Sequence, residues 1–223
     1  MFKKTAISIA VAMTLSGGTT AQDLPPLEGE VTLPTDARME ALGKLQDYYR
    51  GTRTFTAPFT QRNPDGTLAN GTVSVERPGR IRFDYDEGIP LLVVSDGKTL
   101  NLIDKEIGQV TKWPVNDTPL RLLLAEQLDL TGLDAEIDPN PGGIDEAIAV
   151  SAVDPNQPEL GRLTVYFEET GKNGVILRGW SVIDSFGDQT TVTIGETDRN
   201  IDLPTSLWKF KDPRGAARRL RRP

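Results

Sequence analysis

The stretch that decides the fold is Val73–Tyr85, VSVERPGRIRFDY, which has the pattern of two short strands joined by a Pro78-Gly79 turn. In the second strand, Ile81, Phe83 and Tyr85 alternate with charged residues, so the strand has one apolar face and one polar face. Such a strand belongs to an antiparallel sheet with one face in water. The apolar face must lie either against a filled core or against a cavity.

The same pattern continues on both sides of this hairpin. Turn dipeptides such as Asp65-Gly66 and Asp96-Gly97 separate short runs of apolar and β-branched residues. The predicted strands are Thr54–Gln61, Thr67–Arg77, Ile81–Tyr85, Leu91–Ser95, Thr99–Ile103, Ala147–Val153, Arg162–Glu168, Val175–Asp184, Gln189–Glu196 and Leu207–Lys211. About ten strands at this spacing predict one large antiparallel sheet that curls.

Two stretches have helical rather than strand periodicity. The first begins at Thr35 or Asp36 and ends at Gly51, with an apolar stripe of Met39, Leu42, Leu45 and Tyr49. The second is predicted to start with Thr118 as cap and Pro119 as first residue, and its stripe is Leu120, Leu123, Leu124 and Leu128. Two short helices cannot cover the inner face of ten strands, so a trough is expected. A sandwich of two sheets remains the alternative.

The chain is expected to be one domain with extensions at both ends. Residues 1–21 have a basic start, a short apolar run and a small-residue site ending at Ala21, which is the pattern of a cleaved secretory signal. Residues 22–34 form a Pro-rich leader, 35–213 the β domain, and 214–223 a basic tail with five arginines. The mature protein is therefore expected outside the cytosol.

Composition excludes several kinds of chemistry. The sequence has no Cys and no His, so disulfides, thiolate nucleophiles, imidazole metal ligands and His-based catalytic pairs are absent. The net charge is −7; without Lys3 and Lys4 it becomes −9, and without the five arginines of the tail it becomes −14. An acidic body of this kind disfavours nucleic acid as a partner.

Acidic residues leave two weaker alternatives open. Asp84, Asp86 and Glu87 could bind a hard cation, but such residues are more often the solvated end of a strand. A carboxylate-based hydrolase of the envelope is also conceivable, although no spacing singles out a catalytic pair. We predict no enzymatic activity, no metal and no cofactor.

Five motifs in register resemble the periplasmic outer-membrane lipoprotein carrier (LolA) family. They are Phe59-Thr60-Gln61, the Arg77-Pro78-Gly79 turn followed by Phe83, VVSDGKTL at Val93–Leu100, LRGWSVIDSFGDQTTVTI at Leu177–Ile194, and LWKFKDPRG at Leu207–Gly215. Order and spacing agree with the family over roughly residues 35–215. Where relatives often carry an aromatic residue after the Ser-Asp-Gly turn, this chain has Leu100-Asn101-Leu102, so the cavity wall there is expected to be less bulky.

The resemblance implies a mainly β fold: an unclosed antiparallel β-barrel of about eleven strands, with a helical lid over an apolar cavity. It also implies a periplasmic monomer that takes acylated lipoproteins from an inner-membrane ABC transporter and gives them to an outer-membrane receptor. The residues expected to line the acyl cavity are Phe55, Phe59, Ile81, Phe83, Tyr85, Leu92, Leu100, Leu102, Trp113, Trp180 and Val182. The residues expected in the lid helices are Met39, Leu42, Leu45, Leu120, Leu123 and Leu124.

Arg77 and the basic tail each have two interpretations. By resemblance, Arg77 bonds to the backbone of the lid and holds the empty protein closed; otherwise it is a solvated arginine beside a turn. The tail is either a solvated chain end or a tether for anionic lipid headgroups. A related glycolipid shuttle or lipid-binding sensor on the same sheet also remains an alternative function.

An empty apolar cavity is costly, at about 24 cal/mol per Å³, or ~10 kcal/mol for a few hundred Å³. We therefore expect the unloaded protein to be collapsed or plugged by its lid.

Overall fold

The computed structural model describes residues 35–171 and 174–214. The predicted signal peptide, the Pro-rich leader and all of the basic tail except Arg214 lie outside the described residues. Within them, one helix packs against one large antiparallel sheet. No helix among the described residues is both long and apolar enough to cross a bilayer.

Helix α1 is Thr35–Gly51, and twelve strands follow it. They are β1 (Thr54–Arg62), β2 (Leu68–Glu76), β3 (Arg80–Tyr85), β4 (Leu91–Ser95), β5 (Thr99–Asp104), β6 (Gln109–Pro114), β7 (Asp134–Asp138), β8 (Ala147–Val153), β9 (Arg162–Glu169), β10 (Val175–Ile183), β11 (Gln189–Ile194) and β12 (Asp198–Arg199). Their order across the sheet is β6-β5-β4-β3-β2-β1-β11-β10-β9-β8-β7, and the short β12 also pairs with β1.

The sheet is curled but not closed. Phe83 of β3 and Trp180 of β10 are four strand positions apart, yet their ring centroids are only 6.0 Å from each other. In a flat sheet, strands that far apart would be separated by about 19 Å. The edge strands β6 and β7 are consecutive in sequence but lie at opposite edges, and among the described residues no pairing joins them. This arrangement confirms the predicted unclosed barrel of about eleven strands and excludes the sandwich.

Residues 115–133, which we call the crossing segment, connect these two edges. The segment contains two short 3-10 turns, Val115–Asp117 and Pro119–Arg121, followed by irregular turns. The second amphipathic helix predicted here is therefore wrong. Thr118 does not cap a helix, because its hydroxyl donates back to the carbonyl of Val115 at 2.7 Å.

The crossing segment packs against the concave inner face of the curled sheet and not on its outer surface. Leu120, Leu122, Leu123 and Leu124 are all buried, so the segment has no polar face of the kind that an amphipathic surface helix needs. Together with α1 and the inner face of the sheet, they form one continuous hydrophobic cluster. The trough expected from the sequence is thus filled by the chain itself.

Three strands of the structure, β6, β7 and the two-residue β12, were not predicted, and one predicted strand is absent from the described residues. The edge strands β6 and β7 were not predicted, because they are half exposed and carry little apolar alternation. The predicted strand Leu207–Lys211 is wrong. A 3-10 turn, Thr205–Trp208, stands there instead, and the carbonyls of Leu207 and Lys209 accept hydrogen bonds from Arg82 rather than from a neighbouring strand.

Candidate functional site: the apolar inner face and the contact that covers it

The inner face of the sheet is a continuous apolar surface built by strand register. Phe55 of β1 lies opposite Val75 of β2, and Val75 lies opposite Ile81 of β3. One step along, Phe83 lies opposite Val73 on one side and Val93 on the other. Because side chains alternate between faces, each of these rows presents its apolar residues to the same side.

Aromatic rings form the centre of this face. Phe59 makes edge-to-face contacts with Phe83 and Tyr85, each with centroids 5.3 Å apart. Gly71, opposite both Phe59 and Tyr85, leaves room for them, since a Cβ at this position would lie 2.9 Å from the Phe59 ring and 2.1 Å from a backbone oxygen. A glycine is therefore required between the rings.

The inner face becomes polar at the end remote from Arg77. The Tyr85 hydroxyl donates to Oε1 of Gln61 at 2.8 Å, and Nε2 of Gln61 donates to Oδ1 of Asn63 at 2.7 Å. Gln61 and Asn63 are both buried. Burial also raises the pKa of Tyr85. Buried polar groups need partners, so this network closes that end of the apolar surface without leaving an unsatisfied donor on Tyr85.

The structure places most of the predicted lining residues in or against the inner-face cluster: Phe55, Phe59, Ile81, Phe83, Tyr85, Leu100, Leu102, Trp113, Trp180 and Val182. Leu92 is a correction, because it packs with Val94 and Ile103 in a second cluster on the outer face. Its neighbour Val93 occupies the inner face instead, since adjacent residues of a strand point to opposite sides. Contact of any of these residues with a guest remains a prediction.

The predicted lid residues are likewise brought together, with one correction. Leu42, Leu45, Leu120, Leu123 and Leu124 belong to the inner-face cluster or pack against it. Met39 does not, because its side chain is 63% exposed. Helix α1 is fastened at its middle by Lys44, whose ammonium lies 2.7 Å from the Glu169 carboxylate at the end of β9. The hydrogen bond to Glu169 raises the pKa of Lys44, although burial opposes it.

Three successive carbonyls of the crossing segment accept hydrogen bonds from the rest of the protein. Leu122 accepts from the Tyr49 hydroxyl at 3.0 Å, Leu123 from Nε of Arg77 at 3.0 Å, and Leu124 from the backbone amide of Gly79 at 2.9 Å. We call this set the three-carbonyl contact. It joins the segment to both α1 and the β2–β3 turn. It also explains why no helix forms there, because carbonyls that a helix would use internally bind outside donors.

Arg77 is buried at this contact, with 2% of its surface exposed. Besides Leu123, its guanidinium donates through Nη1 to the carbonyl of Thr52 at 2.6 Å. The guanidinium carbon lies 4.4 Å from the centroid of the Tyr49 ring and 5.2 Å from that of Tyr48. No carboxylate forms an ion pair with Arg77 among the described residues, so carbonyl oxygens and aromatic faces stabilise its charge.

The backbone of the turn holds Arg77 in this position. The Arg77–Pro78 peptide bond is cis, and the Arg77 amide donates to the carbonyl of Arg53 at 2.9 Å. Gly79 has φ of 77°, and a Cβ there would lie 2.5 Å from the Gly97 carbonyl oxygen. Ser95, which is fully buried, donates its hydroxyl to the Gly79 carbonyl at 2.7 Å. The Ser-Asp-Gly turn of the sequence therefore positions the Arg-Pro-Gly turn.

The contact also contains four residues that were not predicted for it, Tyr48, Thr52, Gly79 and Ser95. Tyr49 was predicted only as part of a helix stripe. Two adjacent tyrosines at the end of a helix are a usable signal, because both rings can lie against a cation, and here the Tyr49 hydroxyl also finds a carbonyl partner. Thr52 carries no such signal in the sequence, because its backbone carbonyl and not its side chain accepts the hydrogen bond from Arg77.

A solvent-open cleft of about 360 Å³ lies beside the crossing segment. Its walls include Pro78, Gly79 and Gly97 on the sheet side, and Val115, Arg121 and Asp129 on the segment side. The cleft therefore lies next to the three-carbonyl contact and not beneath a helix. No three acidic residues within the described residues group as a metal site.

We predict that Tyr49 makes the protein sensitive to alkali. Burial raises the pKa of Tyr49 to about 12, and the Arg77 cation opposes this only in part. Between about pH 10 and pH 12 the unfolded chain loses the phenolic proton while the folded protein keeps it, so the free energy of unfolding should fall as pH rises, by up to about 2–3 kcal/mol. Burial raises the pKa of Tyr48 as well, which adds to the fall.

Urea unfolding at a series of pH values tests this expectation. Tyr49→Phe should show a shallower fall in this pH range. Below about pH 9 the two proteins should differ by a constant amount, set by the lost hydrogen bond to Leu122. Identical slopes above pH 10 would show that Tyr49 does not titrate as its burial requires.

The protein is an open, curled β-sheet whose apolar inner face is covered by helix α1 and the crossing segment. A family model for the outer membrane lipoprotein carrier protein LolA matches residues 50–211, and the chain belongs to this family. The family predicted from the five motifs is thereby confirmed.

Similar proteins extend over nearly the same length. An outer-membrane lipoprotein carrier protein of Dechloromonas aromatica is 30% identical over 82% of this chain and 89% of its own length, and one of Nitrosomonas europaea is 32% identical over 82% and 90%. A crystal structure of a LolA superfamily protein from Nitrosomonas europaea aligns over 77% of this chain and 97% of its own with a TM-score of 0.43 and 10% identity. At that TM-score the structural likeness carries no weight here.

Proposed function

We propose that this protein is a periplasmic carrier that binds the acyl chains of lipoproteins against its inner face and moves them from the inner to the outer membrane. The observation that carries the proposal is how the apolar face is covered. A closed sandwich would bury this face permanently, whereas here a segment held by the three-carbonyl contact covers it. Displacing that segment exposes an apolar surface with the rings of Phe59, Phe83 and Trp180 at its centre.

The free energy of exposing acyl chains to water supports the proposal of a carrier. Each buried methylene contributes about 0.8 kcal/mol, so a sixteen-carbon chain in water costs roughly 13 kcal/mol. A lipoprotein with two or three such chains cannot cross an aqueous gap unaided. The free energy of moving an acyl chain from a bilayer to an apolar cavity is close to zero. The carrier therefore needs only to bind the chain about as well as the membrane does, and its partners must supply the direction of transfer.

The closed arrangement serves the unloaded protein. An empty cavity of a few hundred Å³ would cost ~10 kcal/mol, and the leucines of the crossing segment fill that space instead. Acyl chains would take the place of these leucines, so that apolar contacts with the guest replace apolar contacts with the crossing segment. The hydrogen bonds of the three-carbonyl contact, and above all those of Arg77, then set how readily the closed form opens.

The names of the relatives supply the class of cargo, and the remaining partners follow from it. An inner-membrane ABC transporter would load the carrier and an outer-membrane receptor would unload it, with the protein acting as a monomer. The predicted signal at residues 1–21 would deliver it to the periplasm. No catalytic step, metal or cofactor is part of this proposal.

Complex formation with a purified triacylated lipoprotein tests the proposal directly. The lipoprotein is diluted out of detergent in the presence of this protein, and the mixture is separated by gel filtration. We expect a soluble one-to-one complex, and none with the same lipoprotein lacking its acylated N-terminus. Equal binding of both forms would rule out recognition through acyl chains.

Depletion in cells separates the proposed cargo from a glycolipid. If the protein carries lipoproteins, its loss should leave them in the inner-membrane fraction. Normal sorting of lipoproteins, together with acyl-bearing glycolipid in protein purified without detergent, would favour the related shuttle or sensor.

A further inference from the structure

Two buried hydrogen-bond donors at the Arg77 end of the inner face have no acceptor. Nη2 of Arg77 and the hydroxyl of Tyr48 make no hydrogen bond within the part of the chain that the structure describes. Only 2% of Arg77 and 5% of Tyr48 are exposed. The Arg77 charge opposes the rise in the pKa of Tyr48 that burial causes, so the two groups are neighbours. Buried donors without an acceptor are rare in folded proteins, and a pair of them indicates a place for a ligand oxygen.

The free nitrogen belongs to an edge of the guanidinium that is only half used. Nε and Nη2 form one edge with two parallel N–H bonds, the arrangement that binds both oxygens of a carboxylate. Here Nε donates to the single carbonyl oxygen of Leu123 at 3.0 Å. Nη1 donates to the carbonyl of Thr52, which lies between α1 and β1 and not in the crossing segment. Displacing the segment would therefore free the whole edge while Thr52 still holds Arg77.

The apolar surface that leads away from this edge is long enough for one acyl chain. The centroid of the Phe55 ring lies 6.0 Å from the guanidinium carbon, and Ala57 and Phe59 of β1 follow on the inner face. Along β1 the distance from Phe55 to the polar Gln61 is about 20 Å. One acyl chain spans half the hydrocarbon core of a bilayer, about 15 Å. A single tail with its head at Arg77 would thus end before Gln61.

We propose that the Nε–Nη2 edge of Arg77 and the hydroxyl of Tyr48 bind the carboxylate of a long-chain fatty acid, whose tail takes the place of the crossing segment on the inner face. A carboxylate brings one negative charge to a cation whose other hydrogen bonds go to neutral carbonyls. Its two oxygens accept the two parallel N–H bonds, and one of them also accepts from Tyr48. A planar carboxylate with one substituent needs less interior space than a tetrahedral phosphodiester with two.

The fatty acid and the crossing segment exclude each other, since both use Nε of Arg77. This ligand shares the inner face with the proposed function but requires neither a lipoprotein nor a partner protein. The two proposals can therefore fail separately.

Displacement of an apolar fluorescent dye from the purified protein compares dodecanoate with dodecanol at neutral pH. Both ligands must open the segment, so the cost of opening cancels in the ratio of their dissociation constants. We expect dodecanoate to bind at least about ten-fold more tightly. Arg77→Met should bring this ratio to about one or below, although the weaker closed form favours binding of dodecanol.

Tyr48→Phe tests the site with Arg77 in place, and so decides the question even if Arg77→Met is unstable. It should weaken dodecanoate binding by about three-fold or more and leave dodecanol binding unchanged. The melting temperature of the empty protein should be no lower, because the hydroxyl that is removed has no acceptor there. A lower melting temperature would show that this hydroxyl is already paired.

The matched controls are Arg53→Met, which removes an exposed charge, and Tyr166→Phe, which removes a hydroxyl on the outer face of β9. Both should keep the ratio of the unaltered protein. The proposal is overturned if dodecanoate and dodecanol bind equally, if Arg77→Met keeps the ratio, or if Tyr166→Phe loses as much as Tyr48→Phe. Tighter binding of a dodecanoyl lysophosphatidylglycerol than of dodecanoate would also overturn it, in favour of a phosphodiester site.

Discussion

Replacing Arg77 with methionine is expected to release the crossing segment from the sheet. Methionine keeps much of the aliphatic volume but removes the hydrogen bonds to the carbonyls of Leu123 and Thr52 and the charge between the tyrosine rings. Hydrogen bonds from a charged donor contribute about 1.5–3 kcal/mol each, partly offset because a charge no longer has to be buried. The free energy of opening the segment should therefore fall by about 2–4 kcal/mol.

Hydrogen exchange measures this opening residue by residue. The amides to follow are those of Gly79 and Leu124, which donate to the carbonyls of Leu124 and Leu120. Their exchange should accelerate by about 30- to 1,000-fold, while amides in the centre of β1 and β2 change little. Under the proposed function, the variant should also retain acylated cargo more readily, because the closed form that competes with cargo is weaker.

Arg53→Met is the matched control for this experiment. The Arg53 side chain is 75% exposed, and its nearest acidic partner, Glu76, is 3.6 Å away. The Arg53→Met substitution removes the same positive charge at a position two residues beyond α1. It should therefore leave the hydrogen exchange of the Gly79 and Leu124 amides unchanged. Equal effects of the two substitutions would mean that net charge, and not the contact made by Arg77, holds the segment.

Leu123→Glu is expected to have the second large effect, on cargo uptake. Leu123 is fully buried in the inner-face cluster. A carboxylate cannot stay there unpaired, since a buried charge without a partner costs several kcal/mol, so the segment should leave the interior. The sheet should remain folded because its strand ladders do not involve this residue. Uptake should be lost because the segment can no longer pack over a guest.

Three measurements check this expectation together. Far-ultraviolet circular dichroism should retain the β signal, an apolar dye should bind the empty variant more strongly, and the lipoprotein complex should disappear. Gln127→Glu adds the same charge on an exposed position of the same segment and should behave as the unaltered protein. Normal cargo uptake by Leu123→Glu would show that Leu123 does not cover a bound guest.

The strands were predictable wherever burial imposes a two-residue period. Leu91–Ser95 and Ala147–Val153 have the same bounds in sequence and structure. β1, β3, β5, β9 and β10 differ by one residue at one end, and β2 differs by one residue at each end. The edge strands β6 and β7 were not predictable in this way. An edge strand has only one neighbour and is half in water, so its sequence needs no clean alternation.

The assignment of faces shows where local pattern is insufficient. In β4, the run LLVVS is apolar at every position but the last, so both faces look equally buried in the sequence. Leu92 was expected inside, yet it lies in the outer-face cluster, against which Phe210 packs. Only the later part of the chain, which covers the outer face there, determines that this face is apolar too.

The crossing segment is the strongest example of tertiary structure overriding local preference. Its leucine spacing favours a helix, and one helical hydrogen bond does form, from the Leu124 amide to the Leu120 carbonyl. The helix goes no further because carbonyls from Leu122 to Leu124 bind Tyr49, Arg77 and Gly79 instead. These donors lie between 45 and 73 residues away in the sequence, so no local pattern contains them.

The amino-acid sequence by itself determined the alternating strands, the turns between them, the absence of His and Cys chemistry, and the family. Each of these depends on neighbouring residues or on composition. The tertiary structure alone decided which segment fills the open barrel, that this segment is not a helix, and which carbonyls the buried Arg77 bonds. Those outcomes depend on which distant groups meet when the sheet curls, because a backbone carbonyl offers the same acceptor whatever its side chain.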